Sequence, residues 1–213
     1  MNSRSWSAFA AVVFLSIELC PGGAHAQCKP SVFLIDTTGS VTEVAAMWGE
    51  GPGQTFVAED TLISAITVWR HPVETPNPAE MKLWITELDS TGRPRASRIV
   101  FEGPVLQVSH GDGIHPIAIR FELDPPAVLP HRGKFAFFVQ NQCYWFFDLL
   151  IRDGTVSPDG ELWRSEISNF DGCILKGISD RFDDFDLCCR IEFCDTPTPV
   201  LRPTWGRVKA IYR

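Results

Sequence analysis

Positive charge is in short supply in this chain: 19 Lys and Arg face 26 Asp and Glu, for a net charge of −7. Neutralising phosphates takes a surplus of cations, so nucleic acid and anionic membrane faces are excluded as principal partners. Beyond the first 26 residues no apolar run reaches bilayer-spanning length, and no transmembrane segment is expected. A sustained 3.6-residue apolar period is also missing, so helices should be few and short. Asn-x-Ser/Thr sequons are absent, as suits a bacterial exported protein. So are Gly-x-Ser-x-Gly, His-Glu-x-x-His, the P-loop and Gly-x-Gly-x-x-Gly, which leaves no local signature of acyl, metallo-hydrolytic or nucleotide chemistry.

What the chain does have is 15 Phe and 7 Trp, with Val and Ile, set among 16 Gly and 16 Pro. Strand formers interrupted by turn formers point to an all-β protein. At 213 residues and 45% hydrophobic, it is long and apolar enough for a packed core.

Residues 1–26 have the layout of a secretory leader: Arg4, an apolar stretch from Ala8 to Ile17, then Ala24-His25-Ala26 as a cleavage site before Gln27. Leu19 before Cys20 and Gln27 before Cys28 do not suit lipoprotein processing. The expected location is therefore extracellular or periplasmic. Cleavage removes Cys20 and leaves Cys28, Cys143, Cys173, Cys188, Cys189 and Cys194, an even set from which three disulfides are expected.

Ten short runs separated by turn signals predict a jelly-roll-like antiparallel β-sandwich over residues 27–195. They are Val32–Asp36, Gln54–Ala58, Leu62–Trp69, Met81–Leu88, Arg98–Val108, Ile114–Leu123, Lys134–Gln140, Tyr144–Arg152, Glu161–Glu166 and Phe185–Phe193. Alternation assigns Leu62, Ile66 and Val68 to the core, with Met81, Leu83 and Ile85, then Ile117, Ile119 and Phe121, then Trp145, Phe147, Leu149 and Ile151. Trp69 and Trp84 fall out of that phase, and so do Arg120, Tyr144 and Asp148. Residues 196–213 are a Pro-rich linker and a basic segment in which Trp205, Val208, Ile211 and Tyr212 would share one side of a helix. Such a tail sorts the protein, anchors it or docks on the acidic domain.

Three constellations have chemical readings. Asp36-Thr37-Thr38-Gly39-Ser40 is like an aspartic-protease loop, but an extra Thr interrupts it and there is no second copy, so a Thr- and Gly-rich turn is favoured. His110-Gly111-Asp112-Gly113-Ile114-His115 offers metal-ligand types in what is best explained as a hairpin loop. Asp183, Asp184 and Asp186, near Asp180, supply hard oxygen ligands for calcium, although an acidic solvated turn explains them as well. No cofactor is otherwise expected.

The chain also resembles secreted bacterial β-sandwich modules of the choice-of-anchor type. The resemblance rests on Gly53-Gln54-Thr55-Phe56-Val57-Ala58, Leu62-Ile63-Ser64-Ala65-Ile66, Lys82-Leu83-Trp84-Ile85-Thr86-Glu87-Leu88-Asp89, Gly133-Lys134-Phe135-Ala136-Phe137, Pro158-Asp159-Gly160-Glu161-Leu162-Trp163 and Asp184-Phe185-Asp186-Leu187. It implies a jelly-roll-like fold outside the cytoplasm and brings no catalytic residues. The functional expectation is a non-enzymatic module binding a glycan or a cell-surface or matrix partner, with Trp69, Trp84, Arg120 and Tyr144 on one open sheet surface. The alternatives are a structural envelope component with an attachment tail, and a glycoside hydrolase whose acid pair has no sequence signature.

Overall fold

A computed structural model describes residues 30–38, 41–46, 50–72, 79–108, 112–141, 147–154, 160–166 and 174–194. The leader, the tail, Cys28, Cys143, Cys173 and Tyr144 lie outside them. The described residues form thirteen strands and no helix. In chain order these are β1 (Pro30–Ile35), β2 (Val41–Ala46), β3 (Pro52–Ala58), β4 (Leu62–Arg70), β5 (Ala79–Leu88), β6 (Pro94–Val108) and β7 (Ile117–Val128). They continue with β8 (Gly133–Asn141), β9 (Phe147–Asp153), β10 (Leu162–Ser165), β11 (Ile178–Phe182), β12 (Phe185–Leu187) and β13 (Cys189–Cys194).

All pairings are antiparallel and fall into two sheets that make a β-sandwich. A seven-stranded sheet runs β1-β13-β4-β9-β12, with β7 on β4 and β2 on β9, and a six-stranded sheet runs β11-β10-β3-β8-β5-β6. Each of the ten anticipated runs contributes a strand. β2 and β11 were not anticipated, and the Phe185–Phe193 run is split at Cys188.

The inner faces carry the period-2 pattern. Phe56, Phe135, Phe137 and Phe193 meet between the sheets, with the Phe56 ring centroid 6.2–6.3 Å from each of the other three. Around them pack Ile66, Val68, Met81, Leu83, Ile85, Ile119, Phe121, Leu149 and Ile151, as alternation required. Leu62 is an exception. Against β13, β4 carries one extra residue, Ser64, and this bulge shifts the phase, so Ile63 takes the core position and Leu62 is only partly buried. The Ile114–Leu123 run extends further than anticipated, β7 continuing through Pro125 and Pro126. β7 is an edge strand, and its register with β4 jumps from Glu122 to Ala127, so both prolines stand in an unpaired stretch and sacrifice no ladder hydrogen bond.

One polar clamp ties the sheets together across this apolar interior. Gln54 on β3 donates from Nε2 to Asp186 Oδ1 on β12 at 2.7 Å, and its Oε1 accepts from Leu187 N at 2.8 Å. Gln54 and Asp186 are both fully buried, and the carboxylate at such a depth requires these bonds.

Among the described residues no disulfide is formed, in contrast to the three expected. Cys188, Cys189 and Cys194 are buried free thiols. Cys189 points into the core, while Cys188, between strands, donates from Sγ to Asp36 O at 3.4 Å, so the neighbours do serve different environments. Burial pushes the Cys188 thiol up to about 11 and holds the Cys189 thiol well above its ordinary value.

Candidate functional site: the outer face of the seven-stranded sheet

The two outer faces are finished differently, and this decides which sequence-predicted residues meet. On the six-stranded sheet, Trp84 stands on β5 beside Phe138 of β8. It is 2% exposed, because Trp163 of β10, Ile178 of β11 and Leu175 form a second, smaller apolar cluster with it on that face. Its Nε1 donates to Gln140 Oε1 at 2.9 Å, and Gln140 Nε2 donates to Ile174 O at 3.2 Å, which fixes the covering segment. Trp84 is therefore a packing residue and does not share a surface with Trp69 or Arg120. The out-of-phase position identified its face correctly but not the chain that lies over it.

Trp69 lies on the opposite side of the molecule, on the outer face of the seven-stranded sheet, and is partly exposed. Its neighbour on β7 is Ala118, whose methyl leaves that edge of the indole open. One pleat further along, Arg120 arches from β7 across β4 to β13, donating to both carboxylate oxygens of Glu192 at 2.7 and 2.9 Å. It can do so because the intervening positions on β4 are the small Ala65 and Thr67. Glu122 and Arg190 join the same network at 3.3 and 3.0 Å. The bidentate pair raises the Arg120 pKa and lowers that of Glu192, so both stay charged and held in place.

On the other side of Trp69 the end of β4 meets β9 and β2. His71 N donates to Asp148 O at 3.1 Å, extending the pairing of Arg70 with Leu149. The His71 ring approaches Glu43 Oε2 of β2 at 3.6 Å. Asp148 is raised above the ordinary carboxylate range, chiefly by burial and then by the like charge of Glu43, with His71 and the buried Arg70 opposing the shift. A perturbed carboxyl beside a second one, at the edge of an open aromatic, is the strongest titratable cluster on this face. Alternation had placed Asp148 on this face. Glu43 and His71 were missed, because β2 was not foreseen and the long-range β4–β9–β2 contact has no local signal.

The remaining candidates resolve as structural features. Asp36 Oδ1 accepts from Thr38 N, Thr38 Oγ1 and Arg152 Nη1 at 3.1, 2.8 and 2.7 Å, a turn clamp rather than half of an acid pair. Asp112 Oδ1 accepts from Ile114 N and His115 N, and its Oδ2 meets His115 Nδ1 at 2.6 Å, closing a loop. Asp183, Asp184 and Asp186 do not converge. Asp183 pairs with Arg181 at 2.9 Å, Asp184 takes a left-handed φ of 66° at the corner where the chain crosses between sheets, and Asp186 is buried in the Gln54 clamp. Among the described residues no three His, Cys, Asp or Glu are grouped to hold a metal.

No protein-family profile matches the chain, and no curated protein matches it. Its fold is similar to part of a clostridial cysteine protease solved after propeptide cleavage, with a TM-score of 0.51 at 9% identity. That match covers 78% of this chain and 40% of the protease, so this chain spans about two fifths of its neighbour's length. A structure of infectious bursal disease virus aligns with a TM-score of 0.27 at 10% identity, over 86% of this chain and 47% of that one. The first likeness is one of fold alone. Among the described residues no helix is long and apolar enough to cross a membrane.

Proposed function

We propose that this β-sandwich is a secreted, non-enzymatic binding module that holds a glycan on the outer face of its seven-stranded sheet, around Trp69. The observation that carries the reading is a partly exposed indole on an open sheet face, bordered by Ala118, with fixed charged groups on both sides. Sugar rings stack their C–H faces on such a ring, while planar polar groups orient the hydroxyls. Arg120 with Glu192 supplies one rigid flank, and His71, Glu43 and Asp148 supply the other. The leader expected at residues 1–26 supports an extracellular or periplasmic setting.

Binding of the mature chain to a glycan array, repeated with Trp69→Ala, tests this. The variant should lose about 1–3 kcal/mol of affinity, the range for a stacked aromatic. Unchanged affinity in a folded Trp69→Ala protein defeats the assignment. The raised carboxyl of Asp148 beside Glu43 supports a second, hydrolytic reading. Turnover on a polysaccharide panel, lost in Asp148→Asn, would favour it over simple binding.

A further inference from the structure

At the end of the sandwich farthest from Glu43 and His71, the two sheets part at their β6 and β7 edges. Glu87, Arg98, Ile99, Val100, Val128, Leu129 and Pro130 line an open groove of about 420 Å³ there. Its floor and lips are largely apolar, and two of the lips are unusually bare: Val128 is 66% exposed and Ile99 39%. The charges at its rim compensate each other, Glu87 lying 3.6 Å from Arg98 and 3.9 Å from His131. An uncovered aliphatic groove of this kind calls for an apolar occupant.

The chain delivers one to the same end of the molecule. Cys194, the last residue of β13, pairs with Leu62 of β4, and the other neighbour of Leu62 is Val128. Cys194 therefore stands two strand spacings, roughly 10 Å, from the groove. Ten residues lie between Cys194 and Trp205, with Pro197, Pro199 and Pro203 among them. At about 3.1 Å per residue an extended Pro-rich linker covers that distance with length to spare. The segment that follows carries Trp205, Val208, Ile211 and Tyr212 together with Arg207, Lys209 and Arg213. Of the net −7, residues 196–213 hold +4 and residues 27–195 hold −11, the leader contributing zero. Long-range attraction thus draws the tail to its own domain, and apolar contact selects the groove.

We propose that residues 204–213 dock in the groove between Ile99–Val100 and Val128–Pro130, with Trp205 as the anchor. This inference is independent of the glycan reading, because groove and Trp69 face are separate surfaces.

The test uses the full mature chain with p-benzoylphenylalanine in place of Trp205, irradiated at low protein concentration, with the adduct mapped by peptide mass. Attachment within one chain to residues 98–100 or 128–130 is expected. Val128→Glu, on an exposed side chain, should reduce that adduct about tenfold, the equivalent of one lost aliphatic burial. Ile99→Glu provides a second disruption in a different strand, and circular dichroism verifies that both variants fold. High salt should lower the yield in the unmutated groove. Adducts elsewhere in the domain, adducts between two chains, no adduct, or a yield indifferent to both groove variants each overturn the proposal.

Discussion

The two tryptophans that fall out of phase with the core occupy equivalent positions on opposite faces and have opposite fates. Trp84 is sealed among Trp163, Leu175 and Ile178, whereas Trp69 looks onto an alanine and remains partly open. The difference comes not from the strands that carry them but from what neighbouring segments bring to each outer face. On the six-stranded sheet, residues 174–177 and the edge strand β11 that follows are anchored by Gln140 and by Arg93 Nη2, which donates to Ile178 O at 2.6 Å. On the seven-stranded sheet the corresponding layer is made by charged side chains, Arg120 with Glu192, lying flat over Ala65 and Thr67.

The contrast is most easily broken at Trp84. Trp84→Ala should destabilise the protein by about 3–5 kcal/mol, as an emptied core site does. Trp69→Ala should move stability by less than about 1 kcal/mol and act on binding instead. Equal losses in chemical denaturation would mean that the two faces are not finished differently after all.

A somewhat smaller effect is expected where the faces are tied together. Gln54→Leu removes the buried hydrogen bonds to the Asp186 carboxylate and from Leu187 N, and about 3 kcal/mol should be lost. Because the carboxylate is the costly group, the double variant Gln54→Leu with Asp186→Leu should recover part of that loss. A double variant worse than the sum of its parts would show that the clamp is not a closed unit.

The smallest effect sharpens the view of the open face. An acid whose folded pKa lies above its unfolded value holds its proton more tightly in the native state. Asp148 therefore contributes stability below the ordinary carboxylate range, and that contribution is lost as pH rises through its folded pKa. Asp89 behaves oppositely: hydrogen bonds from Thr91 and Arg93 in the β5–β6 turn, with Arg95 nearby, hold it low, so its contribution is present above the ordinary range and lost on acidification. Comparing melting temperatures at pH 4 and 7, Asp148→Asn should be at least as stable as the parent at pH 7 and lose its advantage at pH 4. A variant less stable than the parent at pH 7 would show that the Asp148 carboxylate is favourably paired there.

Much of this architecture was legible because alternation is a local property. Once Met81, Leu83 and Ile85 alternate with Lys82 and Trp84, one face of β5 must be core, and the same logic set the inner faces of β7 and β9. Turn chemistry was equally local: Gly92, at a φ of 84°, stands where Asp89 closes the β5–β6 turn. Local pattern failed where a partner strand intervened. The bulge in β4 exchanged Leu62 for Ile63, and the edge position of β7 let a strand pass through two prolines. Nor does an even cysteine count say which thiols meet: Cys188, Cys189 and Cys194 are unpaired among the described residues, where pairing was expected.

The sequence by itself determined an all-β sandwich, the phase of most of its strands, and which aromatics stand outside the core. Only the tertiary structure decided which of those aromatics stays open, because the cover on Trp84 comes from Trp163, Leu175 and Ile178, some eighty to ninety residues further along the chain. Likewise, Glu43, His71 and Asp148 share a face only because β2, β4 and β9 meet there. A period of two residues tells a side chain which way to point, but what it meets there depends on contacts between distant segments.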